Sequence, residues 1–120
     1  MQNGGTDETE KGKAALKTLS SAIIAPAAYG TMQWGGTADH GAAQEMFDAC
    51  LHAGIRHFDT AFIYTDGRSE EFLGAIAGNR DDVFVATKAA YNQPATSTNI
   101  RASFDMSRKR LKRDCVDLLY

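Results

Sequence analysis

The sequence predicts an α/β chain forming the N-terminal part of a (β/α)8 TIM barrel, about three βα units plus the fourth strand, with the barrel incomplete. Three observations predict it. Apolar, strand-like runs alternate with amphipathic stretches in the order β-α-β-α-β-α-β, the pattern of right-handed crossovers and a parallel sheet. No G-x-G-x-x-G follows the first run, which weakens the competing reading, an open dinucleotide-binding sheet. Thr31, Asp59 and Lys88 stand at the C-terminal ends of successive strands, where a barrel places its chemistry. A complete barrel needs about 250 residues; this chain has 120.

Each element has a local reason. Residues 1–20 are a polar segment rich in Gly, Thr, Lys and Glu, expected to be flexible. The folded unit is expected over 21–120. Pro26 fits the start of a strand and not its centre, so the first strand is placed at about 27–31, followed by a loop through Gly35 and Gly36. Asp39 is an N-cap, and Ala42, Ala43, Met46, Phe47, Cys50 and Ala53 recur at helical spacing. Gly54 stops that helix in the left-handed cap position, and a short strand spans 55–60. A loop at 65–68 leads into a helix over 69–77, whose Glu70 and Glu71 oppose the positive end of the helix. Phe72, Leu73 and Ile76 form its apolar side, and Gly78-Asn79 ends it. A strand at 83–87 runs into Lys88. A third helix covers 99–112 with Ile100, Phe104 and Leu111 on one side, and a fourth strand covers 115–120.

The composition is that of an ordinary globular chain, 43% apolar and 23% charged, with a net charge of −2. That balance points to neither a nucleic-acid nor a membrane partner. The charge is uneven: Asp7, Glu8 and Glu10 lead the chain, and Arg108, Lys109, Arg110, Lys112 and Arg113 crowd one helix end. Such a run reads as a solvated helix face, with phosphate contact as the alternative. Two distant cysteines, Cys50 and Cys115, suggest reduced thiols and a cytoplasmic setting. No stretch has the length of a membrane span, and the polar start is unlike a secretory signal.

The chemistry concentrates between residues 57 and 88. His57 and Asp59 share one face of a strand. A carboxylate at that strand end is costly unless paired, and Lys88 on the next strand is its natural partner. Tyr64 follows on the loop above. A phenol in water releases its proton only near pH 10, roughly, and a neighbouring ammonium favours the ionised form. Asp59, Lys88 and Tyr64 together would make a tunable proton donor for a carbonyl oxygen. The plainer alternative is a salt bridge beside a packed loop aromatic, and spacing alone does not choose. His57 raises a metal reading, set against a histidine of the barrel interior; the latter is preferred and no metal is expected.

The segments "GIRHFDTAFIYTDGRSEEFLG", "VFVATK" and "SRKRLKRDCVDLLY" choose. In that order they resemble the aldo-keto reductase superfamily, with "DTAFIYTDGRSE" closest in wording to the aflatoxin-aldehyde and succinic-semialdehyde reductase branch. "GTMQWG" resembles the family's first strand and loop. The resemblance covers residues 21–120. It implies a barrel that binds NADPH across its mouth and transfers hydride to an aldehyde or ketone. By position it makes Asp59, Tyr64 and Lys88 catalytic and sets Gly30, Thr31, Met32 and Asp59 at the nicotinamide end of the cofactor. It gives Tyr64 and Trp34 to the carbonyl pocket, with Trp34 equally readable as a loop-packing residue. The family's fourth catalytic residue, a histidine, falls two positions beyond Tyr120, so these 120 residues alone are expected to be inactive. A potassium-channel β-subunit, a cofactor-binding regulatory protein of the same fold, is the alternative. Two departures stand out: an irregular "IIAPAAY" first-strand region and a short interval between Tyr64 and Lys88. The substrate and the oligomeric state are left open.

Overall fold

The computed structural model describes residues 15–90 and 92–120. Of the expected flexible segment, residues 1–14, with Asp7, Glu8 and Glu10, lie outside the described residues. Residues 15–20 lie within them and are tied down: Lys17 and Ile23 form an antiparallel bridge, and the Leu19 N–H donates to Asp117 Oδ1 at 2.6 Å.

Four parallel strands, β1 (Ala28–Gly30), β2 (His57–Asp59), β3 (Phe84–Thr87) and β4 (Leu118–Leu119), lie side by side in chain order. Three helices connect them: α1 (His40–His52), α2 (Arg68–Ala77) and α3 (Ser97–Leu111). A single 3-10 turn, Tyr64–Gly67, precedes α2. The expected order and crossovers are therefore present. The strands are shorter than the apolar runs that announced them, and share the register Gly30–Asp59–Ala86–Leu118. No helix among the described residues is long and apolar enough to cross a membrane.

The local signals act as expected in several places. The Asp39 carboxylate accepts from Ala42 N–H at 2.9 Å to cap α1. Gly54 takes φ +81° just beyond it. Helix α3 begins earlier than expected, because Thr96 caps it by accepting from Asn99 N–H at 3.2 Å.

Alternation along the strands divides the sheet's two faces. Phe58 and Val85, paired in register, turn toward the helices and join Trp34, Phe47, Leu73, Val83 and Leu111 in the main core. Phe47 and Phe58 meet with ring centroids 4.9 Å apart, a favourable tilted pair. The opposite face carries His57, Asp59, Phe84 and Ala86, with Ile24 packed on the last two. That second face is the one a barrel would enclose.

Two helix faces differ from expectation. In α1 the buried residues are Ala43, Phe47 and Cys50, while Met46 is exposed. In α3 the buried stripe is Ser103, Ser107 and Leu111, and Ile100 is exposed. Ser103 serves there because the neighbouring backbone needs a partner: its Oγ accepts from Ala90 N–H at 3.0 Å.

Candidate active site

Strand ends β2 and β3 bring Asp59 and Lys88 together. Lys88 Nζ donates to Asp59 Oδ1 at 3.0 Å, to Oδ2 at 2.9 Å and to Thr60 O at 2.9 Å. Backbone bonds fix the spacing: Thr60 N–H donates to Ala86 O at 2.9 Å and Phe62 N–H to Lys88 O at 3.0 Å. Burial by itself lowers the pKa of the Lys88 ammonium; the Asp59 carboxylate and the adjacent Tyr64 together outweigh it, and the net shift is upward.

Tyr64 opens the 3-10 turn, and Lys88 Nζ lies 4.9 Å from its ring centroid. The turn is held in an unusual backbone conformation, with Thr65 at φ +50° and Asp66 at φ +55°. Non-glycine residues there store strain that surrounding bonds must offset. Thr65 supplies them: its hydroxyl donates to Trp34 O at 2.7 Å and accepts from Ser69 N–H at 3.0 Å. Ser69 Oγ then lies 2.7 Å from Thr31 Oγ1 and 2.8 Å from Thr60 Oγ1. This buried hydroxyl cluster ties the ends of β1 and β2 to the start of α2.

Beside the Asp59–Lys88 pair lies a groove of about 570 Å³, lined by Met32, Ala61, Ile63, Tyr64 and Lys88 among others. Gly30 borders open space, so a ligand can approach its backbone. Thr31 is fully buried: its N–H donates to Asp59 O, its carbonyl accepts from Trp34 N–H, and its hydroxyl belongs to the Ser69 cluster. It positions its neighbours and has no free polar group for a ligand.

Trp34 is not in the groove. It is 1% exposed, with ring centroids 6.0 Å from Tyr29 and 6.2 Å from Phe58. The bridge between Trp34 and Ala38 folds the first loop inward, so the packing reading of this residue replaces that of a pocket wall. His57 packs against Phe84 as a tilted pair with ring centroids 4.5 Å apart, and burial lowers its pKa below the ordinary 6.5 against the pull of Asp59 and Asp117. Among the described residues no three His, Cys, Asp or Glu side chains converge as metal ligands would.

The basic run across the C-terminal end of α3 is a solvated face only in part. Arg113 turns inward to Asp117 at 3.3 Å and to Val83 O at 3.1 Å. Arg110 pairs with Glu70 at 3.2 Å, and Glu70 is fully buried. Sequence reasoning missed Glu70 as anything but a helix-end charge. The signal was available only as a pairing of two residues forty positions apart.

The Aldo/keto reductase family matches residues 27–120. Aflatoxin B1 aldehyde reductase member 2 of Rattus norvegicus is 35% identical over 88% of this chain and 31% of its own length. A probable voltage-gated potassium channel subunit beta of Oryza sativa is 31% identical over 81% of the chain and 33% of its own. Among solved structures, an aldo-keto reductase from Klebsiella pneumoniae in complex with NADPH superposes with a TM-score of 0.64 at 29% identity, covering 89% of this chain and 38% of that one. A putative aldo-keto reductase from Pseudomonas aeruginosa gives 0.73 at 28% identity, over 87% and 43%. The chain thus spans about a third of the length of the curated relatives it matches. The parallel sheet is the corresponding part of their (β/α)8 barrel, and the chain belongs to the aldo/keto reductase family.

Proposed function

We propose that these residues serve the NADPH-dependent reduction of aldehydes or ketones to alcohols. The observation that carries the reading is the Asp59–Lys88 pair set beneath Tyr64 at the edge of an open groove. Gly30 and Met32, beside Asp59, would hold the nicotinamide end of the cofactor: the former leaves its backbone open and the latter is exposed beside the groove. Thr31 contributes by fixing that backbone and not by a hydrogen bond of its own. When bound, NADPH supplies a hydride to the carbonyl carbon. Tyr64 is the general acid and gives its hydroxyl proton to the carbonyl oxygen; solvent then returns a proton to the phenolate. Lys88 places a positive charge against the Tyr64 ring and favours the phenolate left behind. Asp59 fixes Lys88 in place.

The same reading takes these 120 residues by themselves as inactive. Leu118 and Leu119 on β4, and Tyr120 just beyond it, are exposed, and β4 ends the strand order, a sheet edge prone to self-association. Cys50 and Cys115, both free thiols, suit a reducing compartment and so a cytoplasmic setting. The test is NADPH oxidation with simple aldehydes, by a form as long as the relatives that carries these residues. Turnover lost in Tyr64→Phe supports the reading; turnover unchanged in that variant overturns it.

A regulatory, cofactor-binding role is the second reading, and the likeness to a potassium-channel β-subunit favours it. Cofactor binding without turnover of any aldehyde would select it.

A further inference from the structure

A closed circuit of hydrogen bonds runs behind Tyr64 and Lys88. Phe62 N–H donates to Lys88 O at 3.0 Å. Phe62 O accepts from Arg110 Nη1 at 2.9 Å, and the same nitrogen donates to Glu70 Oε1 at 3.2 Å. Glu70 Oε2 accepts from Thr87 Oγ1 at 2.7 Å. The circuit therefore begins and ends on the adjacent residues Thr87 and Lys88, and it passes through Phe62, two residues before Tyr64.

An ion pair that only joined α2 to α3 would need none of these contacts with the strand end and the loop. Here both charged partners reach past each other. Glu70 and Thr87 are fully buried, so the carboxylate tolerates little displacement before losing partners it cannot replace. Arg110 grips Phe62 twice, through its carbonyl and with the guanidinium carbon 4.6 Å from its ring centroid. Gly67, at φ +92°, makes room for that guanidinium, which a Cβ would strike.

We propose that Glu70 and Arg110 are positioning residues for carbonyl reduction, holding the backbones of Phe62 and Thr87 so that Tyr64 and Lys88 keep their mutual register. This rests on the functional reading above. Misplacing reacting groups by about 1 Å can slow a reaction by about a hundredfold, and the circuit prevents a shift of that kind.

The test uses a form as long as the relatives and two readouts, one independent of turnover. The first is the titration of the Lys88 ammonium, followed by NMR of labelled lysine. The second is the split between kcat and KM. Arg110→Ala is a poor probe because it strands a buried carboxylate, so Thr87→Val is the primary variant: it keeps volume and removes the donor to Glu70. The expected result is a displaced Lys88 titration and a fall in kcat of about tenfold, with KM for NADPH changed less than about twofold. Thr87→Ser restores both. Glu70→Gln, which keeps an acceptor for Thr87 but loses the charge facing Arg110, moves both readouts in the same direction as Thr87→Val. The proposal is overturned if folded Thr87→Val or Glu70→Gln leaves both readouts at the wild-type values, or if Thr87→Ser rescues neither. Should the wild type reduce no carbonyl at all, the functional reading fails, and the Lys88 titration alone decides the positioning role.

Discussion

Lys88 is anchored chiefly by Asp59: its Nζ lies 3.0 and 2.9 Å from the two carboxylate oxygens, with Thr60 O at 2.9 Å on the same nitrogen. Tyr64 meets the same ammonium more loosely, with Nζ 4.9 Å from its ring centroid. Asp59 decides where that charge sits, so its removal should be felt first at Lys88.

Asp59→Asn should alter how stability responds to alkali. The pKa of Lys88 lies above its ordinary 10.5 because Asp59 and Tyr64 outweigh burial. A raised ammonium pKa contributes stability that is complete below the unfolded value and is lost as pH rises through the folded one. Without the carboxylate, burial acts with less opposition, and this contribution shrinks or changes sign. Urea midpoints measured from about pH 9 to about pH 11 should fall more steeply for the wild type than for Asp59→Asn. Parallel profiles would show that Asp59 does not set the Lys88 titration.

Arg110→Met should destabilise the protein by about 3 kcal/mol, because it leaves the buried Glu70 carboxyl short of a partner. Adding Glu70→Gln should recover part of that loss, since the carboxylate and not the missing contact is the main penalty. Denaturant unfolding of the two single variants and the double variant gives the coupling directly. Strict additivity would mean that the pair does not act as one.

The closeness of Asp59 and Lys88 could be read from the sequence because its logic is local, while the choice between a proton donor and a plain salt bridge rested on the resemblance. Asp59 and Lys88 follow apolar strands directly, and a strand's period of two places such residues at the open end of the sheet. Tyr64 follows five residues after Asp59, so chain length keeps it near the strand end, though spacing alone left a packed loop aromatic open. What lay hidden is what only tertiary contact creates. Glu70 sits in the first turn of α2, where a carboxylate already has a sufficient reason to exist; its burial depends on Arg110, brought across by α3. The left-handed pair Thr65–Asp66 had no glycine to announce it, and is held by Trp34 O and Ser69 N–H from other elements. Trp34 itself was ambiguous because a loop aromatic can wall a pocket or fill a core. The inward fold of the first loop places it in the main core.

The two cysteines should differ sharply in reactivity. Cys50 lies in the main core on α1, and burial raises its thiol pKa above the ordinary 9.0. Cys115 is exposed. The thiolate is the reactive form, so an aromatic disulfide reagent should label Cys115 at once and Cys50 only on unfolding. Equal rates under native conditions would mean that α1 opens readily from the sheet.

Gly74 should be the glycine least tolerant of substitution. There α2 and α3 cross so closely that a Cβ would overlap Arg110 O and lie 2.8 Å from the Leu111 carbonyl carbon. Both obstacles are backbone, which cannot swing aside as a side chain can. Within a helix, alanine is favoured over glycine by up to about 1 kcal/mol, but overpacking of this kind costs about 1–3 kcal/mol, and the crossing decides the sign. Gly74→Ala should therefore lower the melting temperature, while Gly41→Ala on the open start of α1, where a Cβ meets only Asp39 Oδ1 at 3.5 Å, should hold or raise it. The displaced backbone at Gly74 belongs to Arg110 itself, so the same substitution should also disturb the contact with Phe62 and, through it, the Lys88 titration. A Gly74→Ala protein that melts like the wild type would show that the two helices can part without loss, and that Arg110 is not held where the positioning role requires.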